Sequence, residues 1–242
     1  MSKIRSSVIE PATGTTLTLG ASGDTVAVSS DAIKLNTLKD SGGNTLFTSN
    51  GSGTLSSVNS GLSGAGPKLI QSQTATNVAS VSFTSGLDST YDKYMFVFID
   101  IQPVTDWGDF QFTVSTNGGS SYGVSKTTTF FEAAHAESDS SAYLSYDTTW
   151  DRAESTSPQW FTYNTGTTGD YCYAGIMNLY SPSSTTYVKQ FTITGNNYYG
   201  GDYSMNQYVA GYINTTSAVD AIKFQMDTGN IESGTIKLYG VS

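Results

Sequence analysis

Histidine and cysteine are nearly missing from this chain of 242 residues, with His135 and Cys172 the sole example of each. One cysteine excludes an intrachain disulfide, and so few sulfur and imidazole ligands exclude the usual structural zinc clusters. A Ser-His-Asp triad would have to use His135, yet no Gly-x-Ser-x-Gly elbow accompanies it, so the imidazole is expected at a strand end on the surface. Cys172 lies in the apolar run 171–179 and reads as a small core hydrophobe. Phosphate-cradling glycine motifs are absent, which leaves nucleotide chemistry without a starting point. No apolar run approaches the ~20 residues that a bilayer requires, so no membrane insertion is expected. The basic first residues lead into no apolar stretch, so no signal peptide is read and synthesis in a cytoplasm is expected. Positive charge is scarce as well: 11 Lys and Arg face 20 Asp and Glu, for a net charge of -9. Such a field repels phosphate backbones and anionic lipid, so neither nucleic acid nor a membrane surface is an expected partner.

Aromatic residues are absent from the first quarter of the chain except for Phe47. Charge divides at the same place. Lys3, Arg5, Lys34 and Lys39 balance Glu10, Asp24, Asp31 and Asp40, so the whole negative charge falls on the part that follows. Residues 1–66 offer only short strand candidates at 16–19, 25–29, 33–38, 45–48 and 54–58, separated by Gly, Ser, Asn and Asp turns. Each brings one or two large apolar residues: Leu17 and Leu19, Val26 and Val28, Ile33 and Leu35, Leu46 and Phe47, Leu55 and Val58. Alone these cannot offset the ordering entropy of so much Gly, Ser and Thr. Either the segment is a linker, or copies wind around a shared apolar axis; the recurrence of apolar pairs favours winding, with these ten residues at the contact.

From residue 67 onward the runs lengthen and alternate between apolar and polar. Residues 69–74 and 78–83 alternate, 94–101 is apolar enough for a central strand, and Phe110, Phe112 and Val114 share one face. Runs at 127–134, 160–163, 171–180, 187–195, 205–213, 219–226 and 234–241 bring the number to ten or eleven. The expected fold is all-β: a short-stranded N-terminal stalk, residues 1–66, followed by an antiparallel β-sandwich of jelly-roll type, residues 67–242. The longest stretch without a pattern, 136–158, is where recognition is expected, since binding residues gather on loops held by a scaffold.

Acidic residues crowd the middle of the chain, but spacing selects no pair for glycosidase chemistry, so no catalytic residue is assigned. Asp106 and Asp109 flank a turn, as calcium ligands do, yet no Asp-x-Asp-x-Asp-Gly loop occurs; neither metal nor cofactor is assigned. Residues 115–122 resemble one Asp-box hairpin, in which Asn117 and Gly118 make the turn and Tyr122 packs beneath it. Loop aromatics carry the stronger signal: Tyr143, Tyr146, Trp150 and Trp160 in or beside the acidic stretch, and Tyr198, Tyr199 and Tyr203 in Asn-Asn-Tyr-Tyr-Gly-Gly-Asp-Tyr. Such rings stack on the C–H face of a sugar while neighbouring Asn, Asp and Ser bond its hydroxyls; alternatively they fill the core or a subunit interface.

Residues 39–60, Lys-Asp-Ser-Gly-Gly-Asn-Thr-Leu-Phe-Thr-Ser-Asn-Gly-Ser-Gly-Thr-Leu-Ser-Ser-Val-Asn-Ser, resemble segments of marine phage structural proteins, cyanophage fibres above all. Phe83 to Tyr91, Pro182 to Lys189 and the ending Gly234 to Val241 resemble the same group. The resemblance implies a virion protein displayed outside the particle: a homotrimeric tail fibre or spike whose N-terminal segment meets other virion proteins and whose head contacts host surface polysaccharide. It transfers no catalytic residue. A capsid decoration protein, or a carbohydrate-binding or carbohydrate-cleaving module, are the alternatives.

Overall fold

The computed structural model describes residues 35–56, 58–59, 66–167 and 169–241. Every regular element among them is a β-strand, and all pairings are antiparallel. The chain divides into two compact units, Met1–Gly64 and Ala65–Ser242.

In the first unit, β1 (Thr37–Lys39), β2 (Thr45–Ser49) and β3 (Leu55–Ser56) form a three-stranded sheet in that order. Asp40 shapes the β1–β2 turn, because its carboxylate accepts the N–H groups of Gly42 at 2.9 Å and Asn44 at 2.8 Å. The Asn44 side-chain and backbone bonds hold that carboxyl below its ordinary value. So small a sheet covers little: Leu35, Leu55 and Val58 stay 43%, 53% and 38% exposed, and Leu46 and Phe47 are half-buried. Leu17, Leu19, Val26, Val28 and Ile33 lie outside the described residues.

The second unit is a sandwich of twelve strands. Its smaller sheet runs β10 (Gln159–Trp160), β7 (Phe110–Ser115), β14 (Ala221–Met226), β5 (Ser80–Phe83). Its larger sheet begins β4 (Lys68–Val78), β15 (Ile231–Val241), β6 (Lys93–Pro103), β11 (Tyr173–Tyr180). It continues β12 (Lys189–Tyr199), β13 (Tyr203–Ile213), β8 (Lys126–Ala136), β9 (Ala142–Tyr146). The four-strand order 10-7-14-5 facing 4-15-6-11 is the double Greek key of a jelly roll. Two insertions enlarge it: β8 and β9 between β7 and β10, and β12 and β13 between β11 and β14. Both add to the same edge, so half of the large sheet lies beyond the jelly roll proper.

The small sheet supplies the cover that alternation along β6 and β14 demands. Phe98 sits at the centre, its ring 4.8 to 5.5 Å from those of Phe110, Phe161 and Phe224, all essentially inaccessible. Edge-to-face packing of such rings adds about 0.5–1.5 kcal/mol per pair beyond area burial. At the seam between jelly roll and extension, Tyr173 of β11 lays its ring over the bare backbone of Gly175 and Gly195, positions where a Cβ would collide with it.

Two expectations need correction. Residues 136–158 are not wholly irregular, since β9 forms within them. All five of its residues are exposed, so no burial alternation marks it in the sequence. The run 160–163 is a strand only at Gln159–Trp160.

Candidate functional site

The small sheet reaches the extension at β12, where the rings of Phe112 and Phe191 lie 5.2 Å apart; farther out, residues 147–167 fold back over the inner face as a strap. Gln159 fastens the strap, its amide N–H donating to the carbonyls of Trp150 and Trp160 at 2.9 and 3.0 Å while its oxygen accepts from Thr128 at 2.7 Å. Arg152 donates its backbone N–H to the Thr128 hydroxyl and lays its guanidinium 3.7 Å over the Trp160 ring. Trp150 stacks on Tyr163 at 4.6 Å and meets Trp160 edge-on at 4.9 Å. Tyr199 packs against Tyr163, Tyr203 and Trp107. Four of the seven aromatic candidates, Trp150, Trp160, Tyr199 and Tyr203, thus lie half-buried against the core of the extension. Tyr143 and Tyr146 stand 42% and 53% exposed on β9, and Tyr198 is half-buried with its ring 4.1 Å from that of Tyr171.

Beneath the strap the interior is polar. Glu132 is buried, accepts the Tyr163 phenol at 2.6 Å and the Tyr143 phenol at 3.4 Å, and leaves its second oxygen unpaired. Burial pushes its carboxyl up despite the Tyr163 bond, and Asp147 adds to the rise. Asp109, also buried, is pushed up to about 6 by desolvation, partly offset by the Asn164 N–H that it accepts at 2.8 Å. Lys126 is pushed down to about 8 by burial, with Arg152 contributing, and its ammonium reaches the Val124 carbonyl at 3.1 Å.

The two loops that the sequence marks for recognition converge at one end of the extension. The β8–β9 turn and the β12–β13 turn are tied by the Glu137 N–H, which donates to the Asp202 carbonyl at 2.9 Å. Asp139 and Asp202 take left-handed backbone in these turns, at φ 56° and 62°, a conformation that Asp tolerates better than most residues. Between the turns lies a depression of about 440 Å³, lined by Glu137, Ser138, Ser140, Gly201, Asp202 and Tyr203. Ser138 and Ser140 hydroxyls meet at 2.8 Å, and Asp202 accepts the Tyr171 phenol at 2.7 Å. That bond raises the Tyr171 hydroxyl above its usual range; Tyr198 is raised by desolvation, then by its bond to Glu137. The depression therefore presents carboxylate acceptors, hydroxyls that both donate and accept, and a half-buried tyrosine ring. This is the chemistry that a neutral polyhydroxylated ligand needs.

Of its lining, sequence reasoning named only Tyr203 and missed Tyr171 behind it. The available signal was that Gly-Gly-Asp at 200–202 and Glu-Ser-Asp-Ser at 137–140 both read as hairpin turns. Asp106 and Asp109 separate: the first accepts the Thr167 N–H at 3.0 Å, while the second is buried. Among the described residues no three His, Cys, Asp or Glu side chains gather to hold a metal ion. His135 is exposed on β8, 3.2 Å from Asp139. Asn117 closes its hairpin by accepting the Ser121 N–H at 3.0 Å and the Ser115 hydroxyl at 2.7 Å. No helix among the described residues is long and apolar enough to cross a membrane. No family model matches the chain, and neither a curated protein nor a solved structure matches it.

Proposed function

We propose that the chain is a non-enzymatic phage virion protein, a homotrimeric tail fibre or spike that meets other virion proteins through its N-terminal segment and host surface polysaccharide through its sandwich. The observation that carries the host-contact reading is the depression between the β8–β9 and β12–β13 turns, where hydroxyl, carboxylate and tyrosine groups face one space. The trimer reading is supported by the uncovered Leu35, Leu55 and Val58 of the first unit, which a shared axis would bury. The jelly roll supports it more weakly, because capsid and lectin domains use that architecture but a fold hosts many functions.

Two measurements test the reading. Light scattering on the full chain is expected to return a multiple of three copies; a monomer overturns the trimer. On an array of neutral glycans the protein is expected to bind at least one structure. Asp202→Asn, which keeps the turn and removes the acceptor charge, is expected to weaken that binding by about ten-fold or more, the worth of one charged hydrogen bond. Unchanged binding by the variant, or release of reducing ends from the polysaccharide, overturns the assignment.

A further inference from the structure

Trp107, in the loop between β6 and β7, is placed against the ordinary rules for its residue type. Its backbone is left-handed, at φ 65°, while the other seven non-glycine residues described with positive φ are Asn, Asp, Glu or Ser. A bulky ring tolerates that conformation poorly. The side chain is 45% exposed, whereas Trp150 and Trp160 are half-buried. The ring is nonetheless fixed. A Cβ at Gly200 would lie 3.3, 3.3 and 3.5 Å from its Cη2, Cζ3 and Cε3 atoms. Three consecutive ring atoms at nearly equal distance place the glycine over the face of the indole rather than at its edge. Tyr199 meets the ring at 5.6 Å and 77°. Nearly half of a large apolar side chain thus stays in water at a strained position, an arrangement that packing alone does not reward.

The indole belongs to a row that leads into the depression. Tyr199 and Tyr203 pair across the β12–β13 hairpin with ring centroids 6.0 Å apart, and Ala136 of β8 pairs with Tyr203. Two residues along the three strands stand Asn197, Met205 and Ala134, all buried, so Tyr199, Tyr203 and Ala136 lie on the inner face of the sheet. Trp107 meets this row at Tyr199, and Tyr203 and Ala136 line the depression. Ring and depression therefore share one end and one face of the extension, with Gly200 against the first and Gly201 in the wall of the second.

We infer, resting on the assignment of the depression to a glycan, that Trp107 is the stacking platform of a second sugar subsite. A neutral oligosaccharide that sets one unit in the depression lays a neighbouring unit on the indole. Two chemistries side by side select this ligand. The C–H face of a sugar is apolar and covers an aromatic ring, while its hydroxyls take the donors and acceptors that Ser138, Ser140 and Asp202 supply. A purely apolar ligand would cover the ring but leave those polar groups unserved. An anionic one would meet Asp202 in the depression and Asp106 next to Trp107 in the chain. Because Gly200 already holds the ring, binding has little side-chain freedom to remove.

Neutral hexose chains, from monosaccharide to hexasaccharide, test the subsite apart from the depression. Trp107→Ala is expected to weaken binding of the longer chains by about three- to ten-fold and to leave the monosaccharide unchanged. Trp107→Phe, which keeps a ring, is expected to restore most of that loss, whereas Asp202→Asn is expected to weaken binding at every length. In the unaltered chain Trp107 is expected to be the tryptophan that N-bromosuccinimide oxidises first, and bound hexasaccharide is expected to protect it, as mapped by mass spectrometry. Equal binding by Trp107→Ala at every length, or oxidation of Trp107 that bound hexasaccharide does not slow, overturns the subsite and leaves the depression as the glycan site. A loss that includes the monosaccharide shows a structural role for the ring and also overturns it. Failure of every neutral chain to bind overturns both assignments.

Discussion

The two halves of the large sheet solve one problem in different ways. Beneath the jelly-roll half, Phe96 and Phe98 meet Phe83, Phe110 and Phe224 of a second sheet, and ring packs on ring. Beneath the extension, the strap faces Lys126, Thr128, Glu132, Asn197 and Gln207, all buried. Some of these groups are served, as when Asn197 donates to the Tyr163 carbonyl at 3.0 Å and accepts the Thr165 hydroxyl at 3.0 Å. Others are not: both amide atoms of Gln207 and one oxygen of Glu132 lack partners. Each such group costs about 1–3 kcal/mol, so the first half holds the fold and the second spends part of that stability. The hairpins bring apolar residues of their own, Phe130, Phe191, Ile193 and Val209 among them, but set buried polar groups between them.

That contrast can be broken at its strong end first. Phe98→Ala removes a ring that touches Phe110, Phe161 and Phe224 and is expected to cost about 3–5 kcal/mol in denaturant unfolding; a loss below about 1 kcal/mol would mean that the jelly-roll half is not the stabilising one. Tyr163→Phe strips Glu132 of its shortest bond and is expected to cost about 1–3 kcal/mol. Trp150 stacks on that ring, so its fluorescence should report the loss, whereas no change would show the strap to be held by other contacts. Lys126→Met has the opposite sign. It removes a buried ammonium that has no carboxylate partner among the described residues, and is expected to stabilise by about 1–2 kcal/mol at pH 7. The folded pKa of about 8 lies below the unfolded value, so the cost of Lys126 is full below pH 8 and fades as pH rises toward 10.5; the advantage of Met should fade over the same window. The smallest effect belongs to Asp109. Its folded pKa of about 6 exceeds the unfolded value, so its contribution is full below about pH 4 and is lost as pH rises through 6. The slope is expected to amount to about 1 kcal/mol, and Asp109→Asn should flatten it in thermal melts taken across that range.

How far the sequence discloses this arrangement depends on burial. Strands β6, β12, β13 and β15 are legible because one face meets a core, which forces apolar residues onto alternate positions such as Phe191, Ile193, Ile236 and Leu238. Strand β9 is illegible for the converse reason, since neither of its faces is covered. Trp150 and Trp160 read as loop aromatics available to a sugar, because nothing local announces that residues 147–167 fold back onto Thr128 and Phe130. The depression was half legible: both contributing loops stand out as turn chemistry, but their meeting depends on β13 pairing with β8, a contact between distant parts of the chain.

Tyr173 rests where the two halves join, and its hydroxyl finds no hydrogen-bond partner there. Its ring takes the room that a side chain at 195 would otherwise fill, so positions 173 and 195 make one interlocked pair, while a Cβ at 175 would also strike the Gly195 Cα and the Thr194 carbonyl at 2.9 Å. Drift at either member of the pair is penalised unless the other changes with it. Alanine at Gly195 should be costly beside tyrosine yet cheap beside a small residue at 173, which makes the joint between the jelly roll and its extension a lock that mutation opens only in concert.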